Sequence, residues 1–256
     1  MRFKNLGSGS TGNATVVETS GHKPFRLLVD CGFGLRQLTE RLGHANLAPS
    51  DIDAIFITHE HGDHIGCAAS LALRHGIPVW MSQGTYEAIS SPDLKGLLRI
   101  ARDSEVIHLQ DLQVMPFTVP HDAREPLQLT CQEGVDKLGI LTDLGHATAH
   151  VARHLQHCSA LVLECNHDRD LLDNSSYPVF LKRRVGGAYG HLSNAAAADI
   201  AAQSSHPDLQ LVVAAHLSQQ NNRPELVRNC LGQVLGASTQ ITVATPDAGC
   251  VWMSLS

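Results

Sequence analysis

Within the run Thr58-His59-Glu60-His61-Gly62-Asp63-His64-Ile65-Gly66, four metal-ligand side chains fall inside six positions. An apolar segment, Ala54 to Thr58, precedes it and a helical pattern follows from about Ile65 to Arg74, where Gly76 ends it. Two histidines one residue apart point the same way from an extended backbone, and imidazole and carboxylate are donors suited to zinc and similar first-row ions. Asp63 and His64, one turn later, are placed to address a second ion. The chain therefore has to build a fold that presents a tight strand–loop–helix turn to a metal centre.

The rest of the sequence is compatible with such a fold. Strands are predicted at Arg2–Leu6, Ala14–Glu18, Phe25–Asp30, Ala54–Thr58, Val106–Leu109, Gln113–Val119, Leu127–Cys131, Leu138–Thr142, Ala160–Cys165, Leu209–Ala215 and Gln240–Ala244. Helices fit Leu35–Leu42, Ala147–Gln156, Val179–Val185, Ala195–Gln203 and Pro224–Leu231. Strands and helices interleave without a long linker or repeat, so residues 1–256 read as a single α/β domain.

Composition narrows the function classes. Hydrophobic residues at 43% and charged residues at 17% exclude general disorder. The balance of 19 basic against 25 acidic residues argues against passive coating of nucleic acid or anionic membrane, so any nucleic-acid contact has to be local. Seven cysteines without a C-x-x-C pair, and no apolar run long enough for a signal or a membrane span, predict a cytoplasmic protein with no membrane association. Sixteen histidines nearly match all Lys and Arg together, and His146, His150, His154 and His157 fall at near-helical spacing. Ala147, Val151, Leu155 and Cys158 trace the adjacent apolar face, which predicts that this histidine stripe faces solvent.

The H-x-H-x-D-H run resembles that of the metallo-β-lactamase-fold hydrolases, and the resemblance extends over nearly the whole chain. It implies a four-layer αββα sandwich. It also implies three later ligands, for which the chain offers His121, Asp143 and His216, each after an apolar run. By that resemblance His59, His61 and His121 hold one metal, Asp63, His64 and His216 hold the other, and Asp143 bridges them. Asp30, after its strand, resembles the family's acid that holds a ligand imidazole. Two ions, Zn2+ or Mn2+, roughly 3.5–4 Å apart bring a bridging water to hydroxide near neutrality and polarise the substrate oxygen, so hydrolysis is the expected output.

Departures select a branch. Asp143 stands where several lactam-cleaving relatives carry cysteine, His61 where flavin-associated relatives carry glutamate, and the 73 positions from Asp143 to His216 leave no room for a large inserted cap. Gly190-His191-Leu192-Ser193 resembles the segment of the phosphodiesterase branches, whose extra histidine approaches the scissile phosphate without binding metal. Together with Gly7–Asn13, Glu164-Cys165-Asn166-His167-Asp168, Leu181-Lys182-Arg183-Arg184 and His216-Leu217-Ser218, it makes the chain resemble the YycJ/WalJ exonuclease group, and more distantly the PhnP phosphodiesterases. The expected activity is a dinuclear phosphodiesterase, with DNA the favoured substrate and Asp63 and His191 as catalytic residues. Lys182, Arg183 and Arg184 are the candidate polyanion contact. The Gly7–Asn13 loop reads either as a phosphate cradle or as a plain turn, and Glu164 either as a cleft residue or as a structural one. Hydrolysis of a small cyclic phosphodiester or thioester is the enzyme alternative, and a metal-stabilised binding module is the alternative outside catalysis.

Overall fold

The computed structural model describes residues 1–255. One mixed sheet contains β1 (Arg2–Gly7), β2 (Ala14–Glu18), β3 (Arg26–Val29), β4 (Ala54–Phe56), β5 (Val79–Met81), β6 (Leu98–Ile100) and, on the outer edge beside β1, the C-terminal β14 (Met253–Ser254). The second contains β7 (Ile107–Leu109), β8 (Leu112–Thr118), β9 (Leu127–Glu133), β10 (Asp136–Leu141), β11 (Ala160–Glu164), β12 (Leu211–Ala215) and β13 (Gln240–Val243), in that spatial order. In each sheet half of the ladder is antiparallel and half parallel: β3 to β6 run parallel, as do β10 to β13.

The two sheets pack face to face. Phe3, Val17, Leu27, Val29 and Phe56 from the first meet Leu129, Cys131, Leu138, Ile140, Val162 and Val213 from the second in a fully buried seam. The outer face of the first sheet is covered by α1 (Leu35–His44) and α3 (Ala68–His75), through Leu38, Leu42, Leu71 and Ala72. The outer face of the second is covered by α5 (Ala149–Leu155), α8 (Asn194–Ser204) and α9 (Pro224–Gly232), through Val151, Leu155, Ala197, Ala201, Val227 and Leu231. This is the expected four-layer αββα sandwich. Strands buried on both faces carry near-continuous apolar runs, such as Ala160–Glu164 and Leu211–Ala215, because helices and the opposite sheet cover both sides.

The predicted helix over Ile65–Arg74 is divided in two: a single turn, α2 (Gly62–Ile65), and then α3. Gly66 separates them with φ 30°, and a Cβ there would sit 2.2 Å from the Cys31 carbonyl oxygen. Gly76 ends α3 in the left-handed conformation that favours glycine. Short elements absent from the sequence reading are β5, β6, β14, α4 (Gln83–Ala88) and α6 (Arg169–Asp173); α7 (Val179–Val185) falls on its predicted limits.

All seven cysteines are free. Among the described residues no helix is long and apolar enough to cross a membrane. The histidine stripe departs from expectation in part. His146 and His157 are exposed, but His150 Nε2 donates to Asp103 at 2.8 Å and His154 stacks on Phe117 with centroids 4.7 Å apart. Ala147 is exposed rather than apolar-facing, because α5 starts two residues after it.

Candidate metal centre

Most of the candidate ligands leave the carboxyl ends of parallel strands. Asp30 follows β3, Thr58 and His59 follow β4, Asp143 follows β10, Glu164 ends β11 and His216 follows β12. In parallel sheets these ends converge on one edge of the sandwich, where ligands are received. His121 arrives from the end of β8.

The H-x-H-x-D-H turn is held by backbone contacts among three loops. Asn13 N–H donates to Asp63 O at 2.8 Å, Gly32 N–H to Asn13 O at 2.9 Å, and Cys31 N–H to His64 O at 2.8 Å. The approach is so close that a Cβ on Gly32 would lie 1.7 Å from the Asp63 carbonyl oxygen. Asp30 and His216 both adopt left-handed backbone, with φ 62° and 54°, an unfavourable conformation for these residues that aims both side chains inward.

Each central imidazole has one nitrogen held from behind. His64 Nδ1 donates to Asp30 at 2.8 Å, and Asp30 also accepts from the Thr58 amide and hydroxyl. The Thr58 hydroxyl lies 3.0 Å from His59 Nδ1, and His121 Nδ1 donates to Gly190 O at 3.0 Å. The opposite nitrogens then face a common centre. His59 Nε2 and His121 Nε2 lie 3.0 and 3.3 Å from His61 Nδ1. On the other side, His216 Nε2 is 3.3 Å from Asp63 and His64 Nε2 is 3.7 Å from it. Asp143, almost fully buried, lies between the sets, 3.0 Å from His64 through Oδ2 and 3.9 Å from His121 through Oδ1.

The chemistry of these residues fits divalent cations. Three imidazole nitrogens converge within 3.0–3.3 Å, with Asp122 Oδ1 3.4 Å from His121 Nε2, and Asp143 Oδ2 is buried without a hydrogen bond of normal geometry. Donor atoms of His59, His61 and His121 form one compact group and those of Asp63, His64 and His216 another; Asp143 joins His59 and His64 in a third and Glu164, His191 and His216 in a fourth. Burial and neighbouring His64 push His59 well below its usual value, which favours the neutral, lone-pair form a metal needs. Burial also opposes charge on His216, but Asp143, Asp63 and Glu164 overcome it and push its pKa up to about 10.

His191 enters the same pocket from the loop between α7 and α8. Its Nδ1 donates to Glu164 Oε1 at 2.7 Å, while Glu164 Oε2 accepts from the amides of Leu144 at 2.8 Å and Leu192 at 3.3 Å. Glu164 is fully buried, and although burial raises its pKa, the charges of His191 and His216 hold it below the ordinary carboxylate value. Its position at the end of an apolar strand is the sequence signal for such a role. Asn13 is a second residue that sequence alone leaves unassigned: its amide nitrogen lies 3.4 Å from Asp63 Oδ2 and 3.2 Å from His64 Nε2. The Gly7–Asn13 loop thus contributes a side chain to the centre, and its Ser10 also lines the pocket.

The pocket, about 440 Å³, is bounded by His61, Asp63, Asp143, His191 and His216 on the metal side and by Tyr177, Leu181, Arg184 and Val185 on the other. Arg184 Nε donates to Asp122 Oδ2 at 2.7 Å. The basic triplet is not one patch: Arg184 faces this pocket, whereas Lys182 and Arg183 line a separate depression on the opposite side of α7. Successive helical residues are turned about 100° apart, so three in a row cannot share a face.

A four-layer sandwich with this cluster of candidate ligands at its strand ends defines a metal-dependent hydrolase fold, and the chain belongs to the β-lactamase superfamily: the family described as "Beta-lactamase superfamily domain" matches residues 25–217. Within it, the chain is 33% identical over 241 residues to exodeoxyribonuclease YycJ of Bacillus anthracis, covering 92% of this chain and 89% of the relative. It is 31% identical over 263 residues to exodeoxyribonuclease WalJ of Streptococcus pneumoniae, covering 96% and 95%. The fold is also that of the metallo-β-lactamase fold protein YhfI from Bacillus subtilis, with a TM-score of 0.76, 16% identity and 99% of each chain covered.

Proposed function

We propose that this hydrolase is a dinuclear metal-dependent phosphodiesterase that removes nucleotides from the end of a nucleic acid, DNA in preference to RNA. The observation that carries the reading is the Glu164–His191 pair, a buried carboxylate holding an imidazole at the edge of the candidate metal cluster. The relatives named as exodeoxyribonucleases, matched over most of both chains, support the substrate class.

His59, His61 and His121 would hold one cation, Asp63, His64 and His216 the other, with Asp143 shared between them; Zn2+ and Mn2+ both suit this donor set. Bound there, the two ions supply a lowered pKa for water and stabilisation of charge on the phosphate oxygens. Asp63, open to the pocket, orients the attacking water. His191 holds its remaining ring proton at Nε2, since Nδ1 is committed to Glu164, and delivers it to the departing oxygen. Burial works against charge on His191, but Glu164 raises its pKa above the usual imidazole value, which suits an acid that must still be protonated near neutrality. Arg184, steadied by Asp122, faces the incoming phosphodiester. Residues 1–256 act in this reading as one domain, and seven free cysteines suit a cytoplasmic setting.

The deciding experiment is a hydrolysis panel of labelled DNA and RNA oligonucleotides, a bis-aryl phosphate, a thioester and a chromogenic lactam with the metal-loaded enzyme. Stepwise shortening of DNA and turnover of the bis-aryl phosphate are expected. Cleavage of the thioester or lactam alone would overturn the proposal.

A further inference from the structure

Helix α7 separates two depressions. Leu181, Arg184 and Val185 line the metal pocket, and Lys182, Arg183 and Gly186 line a second pocket of about 390 Å³ whose other walls are His167, Arg169, Leu172 and Asp173. Three cationic side chains and one carboxylate leave this second pocket with an excess of two positive charges. The Arg169 and Arg183 guanidinium groups lie in no ion pair among the described residues, and Lys182 Nζ donates only to the Asp173 backbone carbonyl, at 2.6 Å. His167 forms a wall. It is 2% exposed, and its Nδ1 is buried without a hydrogen-bond partner. Asp168, next in the chain, turns its carboxylate to the Leu171 amide instead.

The second pocket is fastened to the metal pocket through the backbone. His167 pairs with Ser193 as an isolated parallel bridge, and Asn194 N–H donates to His167 O at 2.8 Å, so the wall residue is locked to the segment that begins at His191. A helix with its side chains is about 10–12 Å across. A strand of a few nucleotides spans that distance.

We propose that the pocket of His167, Arg169, Lys182 and Arg183 binds the terminal phosphomonoester of the strand whose diester lies in the metal pocket. The proposal rests on the nuclease reading and adds to it how the enzyme recognises an end. A phosphomonoester carries a charge near −2 at neutral pH, matching the pocket's excess charge, whereas an internal diester carries −1. Arginine suits this ligand because its planar donors pair with two phosphate oxygens at once. An enzyme with such a site measures a fixed distance from the end to the bond it cuts.

The test uses the metal-loaded enzyme and one DNA sequence in three forms: phosphorylated at the 5′ end, phosphorylated at the 3′ end, and hydroxyl at both. Equilibrium binding is measured on phosphorothioate versions that resist hydrolysis, and KM on the natural ones. One phosphorylated form is expected to bind at least tenfold more tightly than the hydroxyl form. Arg169→Ala and Arg183→Ala should each remove most of that preference while leaving turnover of a bis-aryl phosphate and the melting temperature unchanged. Equal binding of all three forms by the unaltered enzyme, or equal loss on all three in the variants, would overturn the proposal even if DNA is shortened normally. Selective binding abolished by the variants, in an enzyme that cuts no oligonucleotide, would uphold the pocket and sink the nuclease reading instead.

Discussion

Glu164 Oε1 accepts a hydrogen bond from His191 Nδ1 at 2.7 Å, while its other oxygen is held by two backbone amides. The carboxylate is therefore held at both oxygens, and it fixes the orientation of the imidazole with the Nδ1 proton toward Glu164. Carboxylates also back His64, through Asp30, and His216, through the same Glu164 oxygen at 3.3 Å, but His191 has the shorter hold on Glu164 and lines the pocket.

His191→Ala should accordingly retain both metals but lower kcat about 10²–10⁴-fold, the range for a positioned acid. Glu164→Gln should reduce kcat less and move the alkaline limb of the kcat profile to lower pH, because the charge that raises the His191 pKa is gone. Elemental analysis beside pH-rate profiles checks this. Loss of metal in His191→Ala would place that residue among the ligands.

Metal loading should reach two equivalents per chain, by elemental analysis after titration with Zn2+ or Mn2+. Asp143→Ala should weaken retention of both ions, since its carboxylate lies between the two groups. Asp30→Ala, which frees His64 Nδ1 without removing a ligand, should reduce metal affinity about 10–100-fold. Full activity at one equivalent would contradict the shared position of Asp143.

Gly32→Ala should cost about 1–3 kcal/mol and lower metal affinity, because the added Cβ collides with the Asp63 carbonyl and displaces the turn bearing the candidate ligands. Gly34→Ala, where a Cβ meets nothing within 4 Å, is the control and should leave metal affinity unchanged. Chemical denaturation and metal competition report the two effects separately.

Acid stability should depend on Glu18. It lies across the strands from both Arg2 and Arg26 and accepts from each Nε at 2.6 Å. Burial raises its pKa, but the two guanidinium groups prevail and the folded value lies below the ordinary 4.5. The stabilisation is therefore complete above about pH 4.5 and disappears as pH falls through the depressed folded value. Glu18→Gln should lose about 1–3 kcal/mol at pH 7 and progressively less toward acid, flattening that limb of a stability–pH curve.

Much of this protein was determined locally and was therefore legible in the chain. The His59–His64 run carries its ligand types at adjacent positions, and strand β2 and helix α7 end where their own turn residues and periodicity end them. Other features depend on partners distant in sequence. Strands β5 and β6 are three residues each and exist because they extend the parallel ladder from β4, a pairing no three-residue pattern announces. Gly66 divides what periodicity reads as one helix, because the Cys31 backbone passes too close for a side chain. Glu164 and His191 are 27 positions apart, and their contact forms only once the segment after β11 pairs, at His167, with Ser193 just beyond His191. The basic triplet shows the same division: sequence supplied three adjacent charges, but the packing of α7 decided that Arg184 faces the metal pocket while Lys182 and Arg183 face the other side, since each step along a helix turns a side chain by about 100°.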